Sequence, residues 1–373
     1  MPKVRIFSYI GSRALGDFIV ECAAATTIKV NFEDASLIVY YRNDRWYKSQ
    51  IIEMMPQIDF SFHASPEKIK NFPIDCFDKR SGSPLTFNNE NWIKMDGRRS
   101  DIILTSQTLN DFAMPSFKKK SRFVIPEKKQ ISLKQNLIDL GLDENRWFAC
   151  LYWREPGYPG RPPHLFRDIL DPRPYIELAD YIVKKQGGQV VRIGHPGMTP
   201  LPKIDGIIDI SHIENNISLH AYAVMSSRYF ISSNSGPLSF GPAFGTPTLI
   251  TENTDPNGIW NEHDRSLGAK IIMNGKQYRQ KEALEAGLMN GALLKAHLAS
   301  KKPDIIIEKC TAEELKFGAD DFYERTEDIS GWRTSNHTDN GVKTFTNKLE
   351  LPLKPTLTKN YFLQLPNTGD GIE

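Results

Sequence analysis

Four turns in this chain carry the residue types that handle an anionic leaving group and a proton. The first is Ser232-Ser233-Asn234-Ser235-Gly236-Pro237. It follows the apolar run Tyr229-Phe230-Ile231 and leads into a helix-like stretch, Leu238 to Phe244, and a second apolar run, Thr248 to Ile250. Strand, small polar turn and helix is the layout in which unpaired main-chain N–H groups meet an anion. The plain alternative is an ordinary βα turn with a serine N-cap. The second turn, IGSRALGD, spans Ile10 to Asp17. Asp17 stands at the start of a helix, where it is either a general base for an acceptor hydroxyl or a first-turn acid that favours the helix dipole. The third, LYWREPGYPG from Leu151 to Gly160, puts Arg154 and Glu155 at a strand tip before a Pro/Gly-rich loop and Arg161. A guanidinium there suits bidentate binding of a diphosphate, with Glu155 orienting it or binding a sugar hydroxyl; a surface ion pair is the alternative. The fourth, VVRIGHP from Val190 to Pro196, has Arg192 in its strand and Gly194-His195 at the tip. Gly194 would allow a nucleotide to come close, and His195 either touches a phosphate or base or is an ordinary surface histidine. There is no HExxH, no paired DxD after a strand and no Walker A lysine. A diphosphate would then be neutralised by Arg154 and helix-end amides rather than by a divalent ion.

These turns need strands and helices to aim them. Val4 to Ile10 reads as a strand, Phe18 to Lys29 as a helix and Ser36 to Tyr41 as a second strand, so the chain opens on a βαβ unit. Trp46 to Met55 reads as a helix stopped by Pro56, and Asp101 to Leu104 as a strand. Phe60 to Arg99 reads as an irregular polar insertion. A second series follows: helix Gln130 to Leu142, strand Trp147 to Trp153, helix Pro174 to Gln186, strands Gln189 to Ile193 and Ile207 to Asp209, and helix Leu219 to Met225. After the serine turn come a weak strand, Ala269 to Met273, and a helix, Gln280 to Ser300. From Lys301 onward helix fragments and polar coil are expected, with a peripheral tail from Asn336 to Glu373. The expected fold is α/β, with two Rossmann-like domains and parallel sheets facing a central cleft. Their limits are 1–129 and 130–300, with 301–373 peripheral. Ligands in such sheets bind beyond the carboxyl ends of the strands, where all four turns lie.

The 373 residues, 40% hydrophobic and 25% charged, have globular composition and a length that fits two domains. A formal net charge of +2 makes no case for nucleic acid. Cys22, Cys76, Cys150 and Cys310 are far apart, which fits a reducing cytosol rather than a disulfide framework or zinc ribbon. The first residues run into an apolar strand, so no secretory signal is expected, and no apolar run is long enough to cross a bilayer. The basic stretch Ser116 to Lys129 reads as a solvated loop in preference to an anionic-membrane patch. LPNTG, Leu365 to Gly369, matches a sorting motif without the hydrophobic, basic tail that such a signal requires.

REPGY, a helix, GGxVVRIG and then SSNSGP…AFGTP, in this order between Trp147 and Trp260, resemble a bacterial glycosyltransferase family. The opening IGSRALGDFIVECAA is similar to that of ADP-heptose lipopolysaccharide heptosyltransferases, which have the GT-B fold. That resemblance implies Asp17 as catalytic base. WRE and SNSGPLSF resemble fucosyltransferase-like enzymes, which implies donor binding by Arg154 and by Ser233 to Gly236. The chain departs from these patterns: it has Trp153 and Glu155 where fucosyltransferases carry His and a second Arg, and Asn234-Ser235 in place of the heptosyltransferase Asp. The expectation is a metal-independent, inverting glycosyltransferase with no cofactor beyond its nucleotide-sugar co-substrate. It would act on a glycan or lipid-linked glycan in surface polysaccharide assembly, in the cytoplasm or at the inner face of the membrane. Asp17 and Glu155 are the expected catalytic residues. Arg154, Arg192, Gly194, Ser232, Ser233, Asn234, Ser235, Gly236 and Pro237 are the expected donor-binding residues. The alternatives are a nucleotide-sugar 2-epimerase or hydrolase, with Asp17, Glu155 and His195 converging, and a non-catalytic nucleotide-sugar-binding protein.

Overall fold

The computed structural model describes residues 4–64, 100–106, 109, 114, 117, 119–158, 163–164, 166–254, 260–261, 263–288, 294 and 305–326, with the backbone of four two-residue strands between 76 and 99. The expected insertion at 60–99 lies mostly outside the described residues. So do Gly160 and Arg161, the end of the expected 280–300 helix, the 336–373 tail and the LPNTG string.

The first half is a small parallel sheet. β1 (Val4–Ile10), α1 (Leu15–Val30) and β2 (Ala35–Arg42) form the expected βαβ unit, followed by α2 (Lys48–Ile52), β3 (Phe60–Ala64) and β4 (Ile102–Leu104). Strand order is β3-β2-β1-β4, all parallel. The α2 helix is shorter than the sequence predicts because Met54 and Met55 are already in the turn that buries them.

The second half is a larger parallel sheet. Its elements are α3 (Glu127–Asp139), β5 (Phe148–Tyr152), α4 (Arg173–Lys184), β6 (Gln189–Arg192), β7 (Ile207–Asp209), α5 (Ile217–Ser226), β8 (Phe230–Ser233), α6 (Phe240–Phe244), β9 (Thr248–Asn253) and β10 (Arg265–Gly268). The order β7-β6-β5-β8-β9-β10 is that of a doubly wound dinucleotide-type sheet, and it reverses between β5 and β8. β5, β6, β8 and β9 are buried at every position. Covered on both faces, they show no alternation of apolar and polar positions.

The weak strand expected at 269–273 is present, and a strand that was not expected, β10, precedes it in a different sheet. β10 closes the parallel sheet, while β11 (Lys270–Met273) joins a small antiparallel sheet with β12 (Lys276–Tyr278) and β13 (Ile305–Glu308). A short helix, α7 (Gln280–Glu285), follows β12. After β13, α8 (Ala312–Arg325) starts with a capping box from Thr311 and Glu314. It buries Leu315, Ala319 and Phe322, and it packs on α4, where Tyr181 donates to Asp320 Oδ2 at 2.9 Å. The helix fragments and polar coil expected from residue 301 are, over 305–326, a strand and one continuous helix. Its charged residues lie on one face, so the apolar face was hidden in the overall composition.

The two halves touch. Arg122, from the basic stretch, donates from Nη1 to the Pro242 carbonyl and to Asn261 Oδ1, both at 3.0 Å. Phe123 packs edge-on against Phe244 with ring centroids 5.8 Å apart. Closest of all are α1 and the turn after β8: a Cβ on Gly16 would stand 2.9 Å from the Cα of Gly236. Gly16→Val is expected to prise this junction open and cost about 1–3 kcal/mol. A urea titration measures it, and an unchanged midpoint would show that the junction yields freely.

Candidate active site at the junction of the two sheets

Three strand tips meet at this junction. At the tip of β8, Ser232 and Ser233 are fully buried. The Ser233 hydroxyl accepts from the Arg154 N–H at 2.8 Å, and Ser232 Oγ donates to the Ser233 carbonyl at 3.0 Å. Asn234 donates from its side chain to Asn253 Oδ1 at 3.0 Å and from its backbone to the Thr251 carbonyl at 3.2 Å. Ser235 is extended (φ −156°, ψ 178°), with its hydroxyl 3.3 Å from the Tyr152 hydroxyl. Gly236 and Pro237 open a 3-10 turn, Gly236–Ser239, that runs into α6. Where a regular helix was expected, the first turn is tighter. The N–H groups of Ser235 and Gly236 donate to no partner among the described residues, so they are available to an anion.

At the tip of β5, Arg154 is bound through Nε to Asp168 Oδ1 at 2.6 Å, and Asp168 Oδ2 accepts the His164 N–H at 2.6 Å. Glu155 is buried. Oε1 accepts from Trp153 Nε1 at 2.6 Å and from Arg192 Nη2 at 2.8 Å; Oε2 accepts from Thr199 N at 2.7 Å. Arg192 has no exposed surface. Its guanidinium lies 4.1 Å from the centroid of the Trp153 ring and donates to the Thr199 carbonyl at 2.6 Å and to Asp209 at 3.1 Å. The structure therefore sets Glu155 and Arg192, both expected to face a ligand, in a buried pair that braces the β5 and β6 tips. The physical reason is local: Trp153 offers a flat face that a guanidinium covers well, and Glu155 and Asp209 supply the countercharge.

The β6 tip is packed in the same way. A Cβ on Gly194 would collide with Met198 Sδ, so this glycine makes room for a side chain of its own turn. His195 is buried, accepts from the Gly197 N–H at 3.2 Å and meets Tyr158 edge-on at 5.1 Å. Burial pulls its pKa below the ordinary imidazole value.

Asp17 sits half-buried in the first turn of α1, one residue past the Gly16–Gly236 contact. One turn further on, Glu21 is fully buried. Its carboxylate accepts from the Ser12 hydroxyl, from Ser12 N at 3.3 Å and from the Ser106 hydroxyl at 3.0 Å, while Ser106 accepts the Gly11 N–H at 2.8 Å. Residues 11 and 12 are thereby pinned ahead of Asp17. Beside them Asp44, nearly buried, is shared by Arg13, Arg42 and Lys48.

The contacts thus link the first turn of α1 to Gly236 through Gly16, and the Ser233 hydroxyl to the main chain of Arg154. Sequence reasoning passed over Glu21, His164 and Asp168. The i, i+4 spacing of Asp17 and Glu21 was a readable signal; nothing in the string marks Asp168 as the partner of Arg154. A cavity of about 600 Å³ is lined by Asp168, Leu170, Arg173 and Lys309 but not by Arg154. Among the described residues no group of three or more His, Cys, Asp or Glu could hold a metal ion, and no helix is long and apolar enough to cross a membrane.

No family model matches the chain, and no curated protein does. Among solved structures it is similar to a family 9 glycosyltransferase from Veillonella parvula, at 13% identity over 87% of this chain and 98% of that one, with a TM-score of 0.51. E. coli ADP-heptose lipopolysaccharide heptosyltransferase II aligns over 87% of this chain and 100% of its own at 12% identity, TM-score 0.49. E. coli heptosyltransferase WaaC, solved with ADP, aligns over 87% and 99% at 9% identity, TM-score 0.44. The last two add nothing to the fold assignment that the first does not carry. Two doubly wound parallel sheets meeting tip to tip, with the likeness to the Veillonella enzyme, make this a GT-B fold.

Proposed function

We propose that the protein is a glycosyltransferase that moves a sugar from a nucleotide-sugar to a hydroxyl of a glycan or glycoconjugate acceptor. Asp17 accepts the proton of the acceptor hydroxyl as its oxygen bonds to the anomeric carbon. The bond from that carbon to the donor phosphate oxygen breaks, and a nucleoside diphosphate leaves. Arg154 and the N–H groups of Ser235 and Gly236 hold the charge that develops on the diphosphate. One base and one displacement give inversion at the anomeric carbon, through a transition state with oxocarbenium character. Glu155 and Arg192 act behind this surface, fixing the strand tips that present Arg154. An acceptor drawn from surface polysaccharide assembly, met at the cytoplasmic face of the membrane, completes the reading.

The observation that supports it is the contact of Gly16 with Gly236, which puts the first turn of α1, the turn of Asp17, next to the turn with the unpaired amides of Ser235 and Gly236. A thermal-shift screen with UDP, GDP, ADP, CMP and CDP tests it. One nucleotide should raise the melting temperature in proportion to its excess over Kd, and Arg154→Ala should remove most of that shift. A flat response to all five would overturn the donor assignment.

A further inference from the structure

We infer that Asp168 is the positioning residue of the diphosphate site. The inference rests on the reading of Arg154 as the cation of that site.

A guanidinium donates along two edges. Asp168 takes only Nε of Arg154, and the two terminal nitrogens have no partner among the described residues. The paired terminal nitrogens form the fork that matches two phosphate oxygens. A carboxylate held at Nε leaves that fork unused and fixes its direction.

The carboxylate cannot easily turn away. Its side chain is 3% exposed, and its second oxygen accepts the His164 N–H. Asp168 N in turn donates to the His164 carbonyl at 3.0 Å, closing the turn. Ile169 N donates to the Arg154 carbonyl at 2.7 Å, so side chain and main chain of Arg154 are both clamped to the same two residues.

Several charged groups lie around the clamp. Arg154 and Arg167 both lie close enough to His164 to disfavour its protonation and, together with burial, draw its pKa down to about 4. The imidazole is therefore neutral at physiological pH. Lys309 donates to the Phe166 carbonyl at 2.7 Å and feels the charge of Asp168. Arg154, Arg167 and Lys309 thus gather around Asp168, with Glu252 as a further carboxylate that acts on Lys309.

The decisive feature for a test is sign. If Asp168 were merely a negative neighbour of the phosphates, Asp168→Asn would tighten binding. If it aims Arg154, the same change weakens binding although it removes a repulsive charge. Calorimetric titration of the full chain with ADP, GDP, UDP and CDP should show the preferred nucleotide weakened on the order of 10-fold or more in Asp168→Asn. Asp168→Glu, which keeps the charge and shifts it by one methylene, should also weaken it and serves if the asparagine variant does not fold. In an Arg154→Ala background, Asp168→Asn should add almost nothing. Unchanged or tighter binding in Asp168→Asn, or a loss that adds fully to that of Arg154→Ala, overturns the inference and leaves the site reading intact. Wild-type binding of none of the four, or undiminished binding by Arg154→Ala, overturns the site reading and the inference with it.

Discussion

Asp17→Asn is expected to lower turnover of sugar transfer by about 10²- to 10⁴-fold while nucleotide binding stays within twofold of wild type. The amide keeps the shape and polarity of the side chain but cannot take the proton of an acceptor hydroxyl at neutral pH. The competing role for this residue is structural. It stands in the first turn of α1, whose N-cap, Ala14, provides no side-chain hydrogen bond, and an acid there favours the helix dipole by about 0.3–1 kcal/mol. The two roles separate cleanly. A structural Asp17 would show up as a small loss in unfolding free energy with turnover kept; a base would show up as lost turnover with stability nearly kept. Initial rates and a urea melt on the same variant decide between them. The pinning of Gly11 and Ser12 by Glu21 and Ser106 matters here, because it holds the main chain that leads into Asp17.

The second large effect concerns stability. Arg192→Ala should cost about 3–5 kcal/mol in unfolding free energy, because it leaves buried Glu155 without its cation and strips Asp209 of the same partner. Arg192→Met, which keeps the unbranched stem over the Trp153 ring, should recover the packing but not the charge, and should fall between the two. A wild-type urea midpoint for Arg192→Ala would show that water reaches Glu155 and that the brace is dispensable. In both variants nucleotide binding should fall, since the brace underlies the tip that presents Arg154. The effect would then be indirect, and Arg154→Ala in the same background shows whether it is.

Much of the architecture could be read from the string, for reasons visible in particular elements. VRIFSYI, WFACLYW and TLIT are mostly apolar and lack the polar alternation of a half-exposed strand, because parallel strands covered on both faces need no solvent-facing positions. The glycine and serine turns after them marked strand tips correctly. Less could be read where an element borrows its burial from elsewhere. α8 read only as helix fragments in polar coil, yet four of its residues are buried, and it packs on the second sheet and α4. β10 read as loop because its four residues, Arg265–Gly268, carry little apolar signal and gain their burial from pairing with β9.

For the site, the residue types and the spacing along each strand were determined by the sequence alone: an acid after a glycine turn, an arginine at a strand end, and small polar residues before a helix. Which of them face the gap was decided by tertiary structure. Arg154 and Arg192 are both arginines at the ends of neighbouring strands, and no local rule tells them apart. Trp153, Glu155 and Asp209 draw one into the interior, while Asp168, fourteen residues further on, binds the other through Nε. Side-chain direction at a strand tip depends on which partners the fold brings within hydrogen-bond reach, and those partners are distant in the chain.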